Sequence, residues 1–156
     1  MAMTRWTVLA VAAIAASGAI GLAHQQAPPR APITGAIAPP DDVAAVPKDA
    51  ERSNTGLAWK IIRAGDGKKH PSTYSNVTVD YTGWTREGRM FTTTLAKSKP
   101  ETFSIADTMK GWREGIPMMV TGEIRRFWIP GDLAYNGVAN MPQGMLVFDV
   151  ELISMK

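Results

Sequence analysis

The chain has 156 residues, enough for one domain of ordinary size with a remainder, and 45% of them are hydrophobic, so a sizeable core can form. A formal net charge of +3 with no long basic run argues against nucleic acid as a partner, and the basic pairs Lys68-Lys69 and Arg125-Arg126 read as solvated faces. The absence of cysteine excludes a disulfide framework, a thiolate site and a lipid-bearing cysteine, leaving stability to the core.

Residues 1–5 form a short basic region, and residues 6–23 are rich in Ala, Val, Ile and Leu without a charge. Gly21-Leu22-Ala23 offers the small residues that a signal peptidase reads, which predicts cleavage before His24 and an exported, periplasmic or cell-envelope protein. The alternative is an uncleaved N-terminal anchor, because eighteen uncharged residues approach the roughly 20 that span a bilayer. Only through such an anchor would the chain touch a membrane. Residues 24–46 (HQQAPPRAPITGAIAPPDDVAAV) sustain neither a strand nor a helix period and read as an Ala/Pro-rich tether to a domain over residues 47–156.

Within that domain residues 57–63 read as a strand, and the following Ala64-Gly65-Asp66-Gly67 as a hairpin turn. Residues 76–82 alternate, with Val77, Val79 and Tyr81 on one face and Thr78, Asp80 and Thr82 on the other. Residues 103–105 suggest a further short strand. Met109, Trp112, Ile116 and Met119 share a face at helical spacing, but Gly115 and Pro117 oppose continuation, so the helix near residues 110–119 must be brief. Residues 123–129 alternate again, with Phe127 and Ile129 inward and Arg126 and Trp128 outward, until Pro130-Gly131 stops them. A last strand over residues 146–152 points Phe148 inward and Asp149 and Glu151 outward. Four or five antiparallel strands with one short helix make an α+β domain in which the helix covers one face of a curved sheet.

Few groups suit conventional catalysis. The only imidazoles are His24, in the tether, and His70, in a polar loop before Pro71; no Gly-x-Ser-x-Gly turn supports a Ser-His-Asp site. Gly65-Asp66-Gly67-Lys68-Lys69 lacks the spacing and ending of a phosphate-binding loop. Asp41-Asp42 is an acidic pair without the further ligands that a metal requires, so no metal and no cofactor is expected. What remains is an aromatic series, Tyr81, Phe91, Trp112, Tyr135 and Phe148. Such residues usually build a core, but converging on a cleft they make an apolar pocket.

Five runs carry a more specific signal: VTVDYTGW at 77–84, EGRMF at 87–91, KGWREG at 110–115, IPGDLAYNG at 129–137 and LVFDVELI at 146–153. In this order and spacing they resemble the FKBP-type peptidyl-prolyl cis-trans isomerases, and GLAWKIIRAGDG at 56–67 resembles the first strand and turn of their bacterial secreted branch; the likeness covers residues 57–156. It implies a five-stranded antiparallel sheet wrapped around the short helix, rotation of Xaa-Pro bonds in exported polypeptides, Pro-containing clients, and macrolide immunosuppressants as further ligands.

By position, the resemblance makes Trp112 the pocket floor and Tyr81, Phe91, Tyr135 and Phe148 its walls. The backbone N–H of Met109 and the hydroxyl of Tyr135 would hold substrate carbonyls, with Thr108 beside the former and Met141 as a further wall. Three positions depart from the pattern, the first being Lys97, which stands in place of an Arg. Thr92 stands where the family has an Asp that accepts the hydroxyl matching Tyr81, which predicts reduced turnover, and Glu101 stands where an aromatic residue often forms the rim. The alternative to an enzyme is a proline-binding chaperone module of the cell envelope with little or no catalysis, and the neutral Thr92 favours it.

Overall fold

The computed structural model describes residues 35–156. The expected signal peptide at residues 1–23 and the start of the tether, His24 included, lie outside the described residues. All strands among the described residues belong to one antiparallel sheet: β1 (Glu51–Arg52), β2 (Ala58–Arg63), β3 (Asn76–Thr85), β4 (Met90–Thr93), β5 (Glu101–Ser104), β6 (Ile124–Ile129) and β7 (Leu146–Met155). The order is β1-β2-β6-β7-β3-β4, with β5 also on β3. Since β4 pairs with residues 82–84 of β3 and β5 with residues 76–79, the two share one lane. The expected five lanes are therefore present, with the two-residue β1 added at the β2 edge.

Among the described residues the single α-helix, α1 (Lys110–Gly115), runs into a 3-10 turn at Ile116–Met118, where Pro117 follows the first residue, so the helix is as short as Gly115 and Pro117 require. Its closeness to the sheet depends on two glycines one turn apart. A Cβ on Gly111 would come within 2.5 Å of Ile129, and one on Gly115 within 2.6 Å of the Phe127 ring. Between α1 and the sheet lie Leu57, Val77, Val79, Ile105, Trp112, Phe127, Ile129, Leu146, Phe148, Val150 and Leu152, all buried, as the inward faces of the alternating strands require. Arg125 shares that parity and is buried too; it is satisfied by Glu123 and by the Met118 carbonyl at 3.1 Å.

Two expectations differ. Asp66-Gly67 closes no hairpin, because β2 pairs with β1 and β6 and never with β3. These residues instead lie against the turn before β6: Gly67 N–H donates to Thr121 O at 3.0 Å, and a Cβ on Gly65 would sit 2.5 Å from that same oxygen. The glycines serve close approach of two backbones.

The second difference concerns the tether. From Ile37 on, its residues pack against the outer face of the sheet, where Val43 joins Ala58, Trp84, Trp128 and Val147 in a second buried cluster flanked by Ile37, Val46 and Ala50. The indole N–H of Trp84 donates to Ile37 O at 3.0 Å, and that of Trp128 to Asp42 O at 2.9 Å. Asp42 also accepts from Arg126 at 2.8 Å, while Arg126 forks onto Asp149 at 2.6 and 2.8 Å. Two large outward indoles need cover and acceptors, and residues 37–50 supply both.

Candidate functional site

A cleft of about 880 Å³ opens between α1, the inner face of the sheet and the loop ahead of β7. Its floor is Trp112, only 5% exposed, held by rings on three sides. Tyr81 and Phe148 meet it edge-on, with centroids at 5.0 and 5.3 Å, and Phe103 stacks on it at 5.4 Å. Phe91 reaches Phe148 edge-on at 5.5 Å. These are favourable aromatic geometries, and together they fix the shape of an apolar depression. The indole N–H of Trp112 is buried without a hydrogen-bond partner among the described residues.

Local backbone rules explain how each wall is aimed. Tyr81 follows Val77 and Val79 on the inner face of β3, and Phe148 lies opposite Gly83 on β7. On the β3–β4 pair the register shifts between Gly83 and Trp84: Thr92 faces Gly83, Met90 faces Trp84, and Phe91 is the extra residue. A bulge of this kind redirects a side chain, and here it brings Phe91 to the cleft. Met109 is the extended cap of α1, its carbonyl receiving the N–H groups of Trp112 and Arg113 at 3.0 Å.

Tyr135 and Met141 sit on the loop between Pro130 and β7, which is tied internally. The Gln143 amide donates to the carbonyls of Tyr135, Val138 and Met141 at 3.2, 3.0 and 2.8 Å and accepts from Gly137 N–H at 2.9 Å. Asn136 accepts from Gly144 N–H at 2.8 Å and donates to Asp132 at 3.1 Å.

At the Tyr81 wall the hydroxyl donates to Glu101 Oε2 at 2.8 Å. The Tyr81 phenol is pushed up to about 12, chiefly by burial and then by the hydrogen bond and charge of Glu101; the Thr92 side chain acts in the opposite direction. Burial alone raises Tyr135. Both hydroxyls are therefore donors at neutral pH.

The groups needed for hydrolysis are scattered. His70 donates from Nδ1 to Met119 O at 3.0 Å, and Asp80 accepts from Thr94 at 2.7 Å. Among the described residues no group of three His, Cys, Asp or Glu could hold a metal ion.

A family model described as FKBP-type peptidyl-prolyl cis-trans isomerase matches residues 67–153. The chain belongs to this family. It is 40% identical over 112 residues to the macrophage infectivity potentiator of Trypanosoma cruzi, covering 69% of this chain and 57% of that protein. It is 39% identical over 106 residues to the outer membrane protein MIP of Legionella longbeachae, covering 65% of this chain and 45% of the relative. The chain thus spans about half the length of these curated relatives. Among solved structures, FkpA from Escherichia coli superposes with a TM-score of 0.65 at 33% identity, over 70% of this chain and 53% of that one. A peptidyl-prolyl cis-trans isomerase from Pseudomonas syringae superposes at 0.63 and 27% identity, over 70% of this chain and 83% of that one. The α+β architecture read from the sequence is thus the FKBP fold.

The FKBP cleft of this chain brings together all nine residues singled out in the sequence: Tyr81, Phe91, Thr92, Thr108, Met109, Trp112, Tyr135, Met141 and Phe148 all line it. Phe103 and Glu101 were not among them. Both belong to the inner face of β5, opposite Val77 and Val79, and the signal for that was the alternation of a four-residue strand. Phe103 adds a wall to Trp112. Glu101 supplies a carboxylate to the Tyr81 hydroxyl from the rim, so the neutral Thr92 does not leave that hydroxyl without a charged acceptor.

Proposed function

We propose that the chain catalyses cis-trans isomerisation of Xaa-Pro bonds in exported polypeptides. The observation that carries this reading is the Trp112 floor enclosed by Tyr81, Phe103 and Phe148, in a cleft with phenol donors but no histidine, serine or cysteine in its lining and no metal-ligand cluster among the described residues. Prolyl rotation asks for nothing more. The planar amide is held by a barrier of about 18–20 kcal/mol, and the uncatalysed event takes tens of seconds or longer.

In the twisted transition state amide resonance is lost and charge separation across the amide falls. An apolar wall therefore favours that state over the planar one, which is the differential binding that catalysis needs. The proline ring rests on Trp112 between Tyr81, Phe91 and Phe148; the Tyr135 hydroxyl and the Met109 N–H hold flanking carbonyls, with Thr108 and Met141 closing the sides. Glu101 keeps the Tyr81 hydroxyl oriented, and Thr92 lies beside it. The tied loop at Tyr135 limits the freedom lost when substrate binds.

The clients are Pro-containing polypeptides of the cell envelope, reached after export directed by residues 1–23. The name of the Legionella relative, an outer membrane protein, supports the location. Macrolides that present a proline-like ring fit the same floor. In a protease-coupled assay on Xaa-Pro peptides, Trp112→Ala and Phe91→Ala lower kcat/KM by at least about a hundred-fold, the scale on which misplaced reacting groups lose rate, while circular dichroism stays native. Unchanged turnover in a folded variant rules out the pocket assignment.

A further inference from the structure

The cleft mouth is electrically polar along its length. Glu101 lies opposite Val79 on β3, whereas the carbonyl of Arg89 receives the Thr85 N–H at 2.9 Å. Six residues of strand separate those two positions, about 20 Å of backbone. Both side chains line the cleft and both are exposed, so one end carries a carboxylate and the other a guanidinium. Asp107 and Thr108, on the connection that leads from β5 into α1, line the same cleft, and Asp107 adds a second exposed carboxylate.

Glu101 has capacity left over. Its Oε2 accepts from Tyr81, and among the described residues Oε1 has no donor. The Tyr81 ring that it holds touches the Trp112 floor at 5.0 Å between centroids, so the free oxygen stands about one phenol length from where a proline would rest. In a bound peptide the residue before proline has its Cα about 3.8 Å (trans) or about 2.9 Å (cis) from the proline Cα, within side-chain reach of that oxygen for a long cation.

We propose that Glu101 is a specificity-determining residue that favours Xaa-Pro segments with a lysine or arginine beside the proline. This rests on the isomerase reading above and names the substrate class of the same site. An exposed carboxylate is a modest selector: the worth of a surface ion pair translates into a preference of up to about five-fold. It is also a screened one, fading once the Debye length falls to a few ångströms.

The test uses the full chain and three peptides identical except for Lys, Leu or Glu before proline. At low salt kcat/KM is higher for the Lys than for the Glu peptide by about three- to five-fold, with Leu as the neutral reference, and the ratio collapses toward one near 0.5 M salt, as screening requires. Glu101→Gln keeps an acceptor for Tyr81 but removes the charge, so the Lys-to-Glu ratio falls to about one whatever happens to the common rate. Glu101→Lys inverts the ranking. Equal rates for Lys and Glu peptides in the native chain, or a ratio unchanged in Glu101→Gln, overturns the proposal. Should no peptide be turned over, the same ranking is read by fluorescence anisotropy of labelled peptides. A Lys preference there keeps the selectivity and defeats the isomerase reading, whereas no preference defeats the selectivity.

Discussion

Gly83 stands at the crowded centre of the aromatic wall. A Cβ there would lie 2.6 Å from the Phe148 ring and 3.0 Å from Phe91, although the backbone itself demands no special conformation. Gly83→Ala therefore forces both rings aside. The expected cost is about 1–3 kcal/mol of stability, as for other overpacked sites, with a ten- to hundred-fold loss of kcat/KM from misplaced walls. Denaturant midpoints and the peptide assay measure the two effects separately. Tyr81 makes a different residue-scale prediction. Its phenol is raised from 10.0 to about 12 in the folded chain, so the folded state holds the proton more tightly than the unfolded state. That contribution to stability is complete below about pH 10 and is lost as pH rises through about 12. Denaturation midpoints measured across this window fall with pH in the native chain, and Tyr81→Phe flattens part of that fall; an unchanged slope contradicts the assignment.

At the scale of elements, legibility followed length and period. β3, β6 and β7 carry alternating stretches of six or seven residues, at 76–82, 124–129 and 146–152, and their inward and outward faces could be read directly, down to Phe148 in and Trp128 out. The short helix was visible from the same arithmetic and from Gly115 and Pro117. β4 and β5 have four residues each, too few for alternation to stand out. Hence the bulge that turns Phe91 inward, and the approach of Glu101 to Tyr81 across 20 positions, depend on register between strands rather than on local pattern. The aromatic site residues were legible through family resemblance, because on pattern alone Trp and Phe at these positions are indistinguishable from core. Asp66-Gly67 misled for a related reason: the dipeptide that favours a hairpin also suits a loop pressed against another backbone.

At the scale of the molecule, the sheet is covered on both faces, by α1 within and by residues 37–50 without. Pro and Ala hid the second cover, since Ile37, Val43 and Val46 follow no period; the clue lay in Trp84 and Trp128, two outward indoles that need partners. A chain beginning at residue 47 uncovers both rings and removes the acceptors of their N–H groups. It should lose about 2–5 kcal/mol, the scale of exposing large apolar side chains, while keeping the inner cleft. A denaturant midpoint equal to that of the longer chain would show that the outer cover contributes nothing. The inner cleft itself is tested most directly by following isomerisation of an Xaa-Pro peptide with the full chain and with Trp112→Ala. The account predicts catalysed exchange by the native chain and its near-complete loss in a variant that remains folded. Turnover surviving in folded Trp112→Ala, or absent from the native chain, contradicts it.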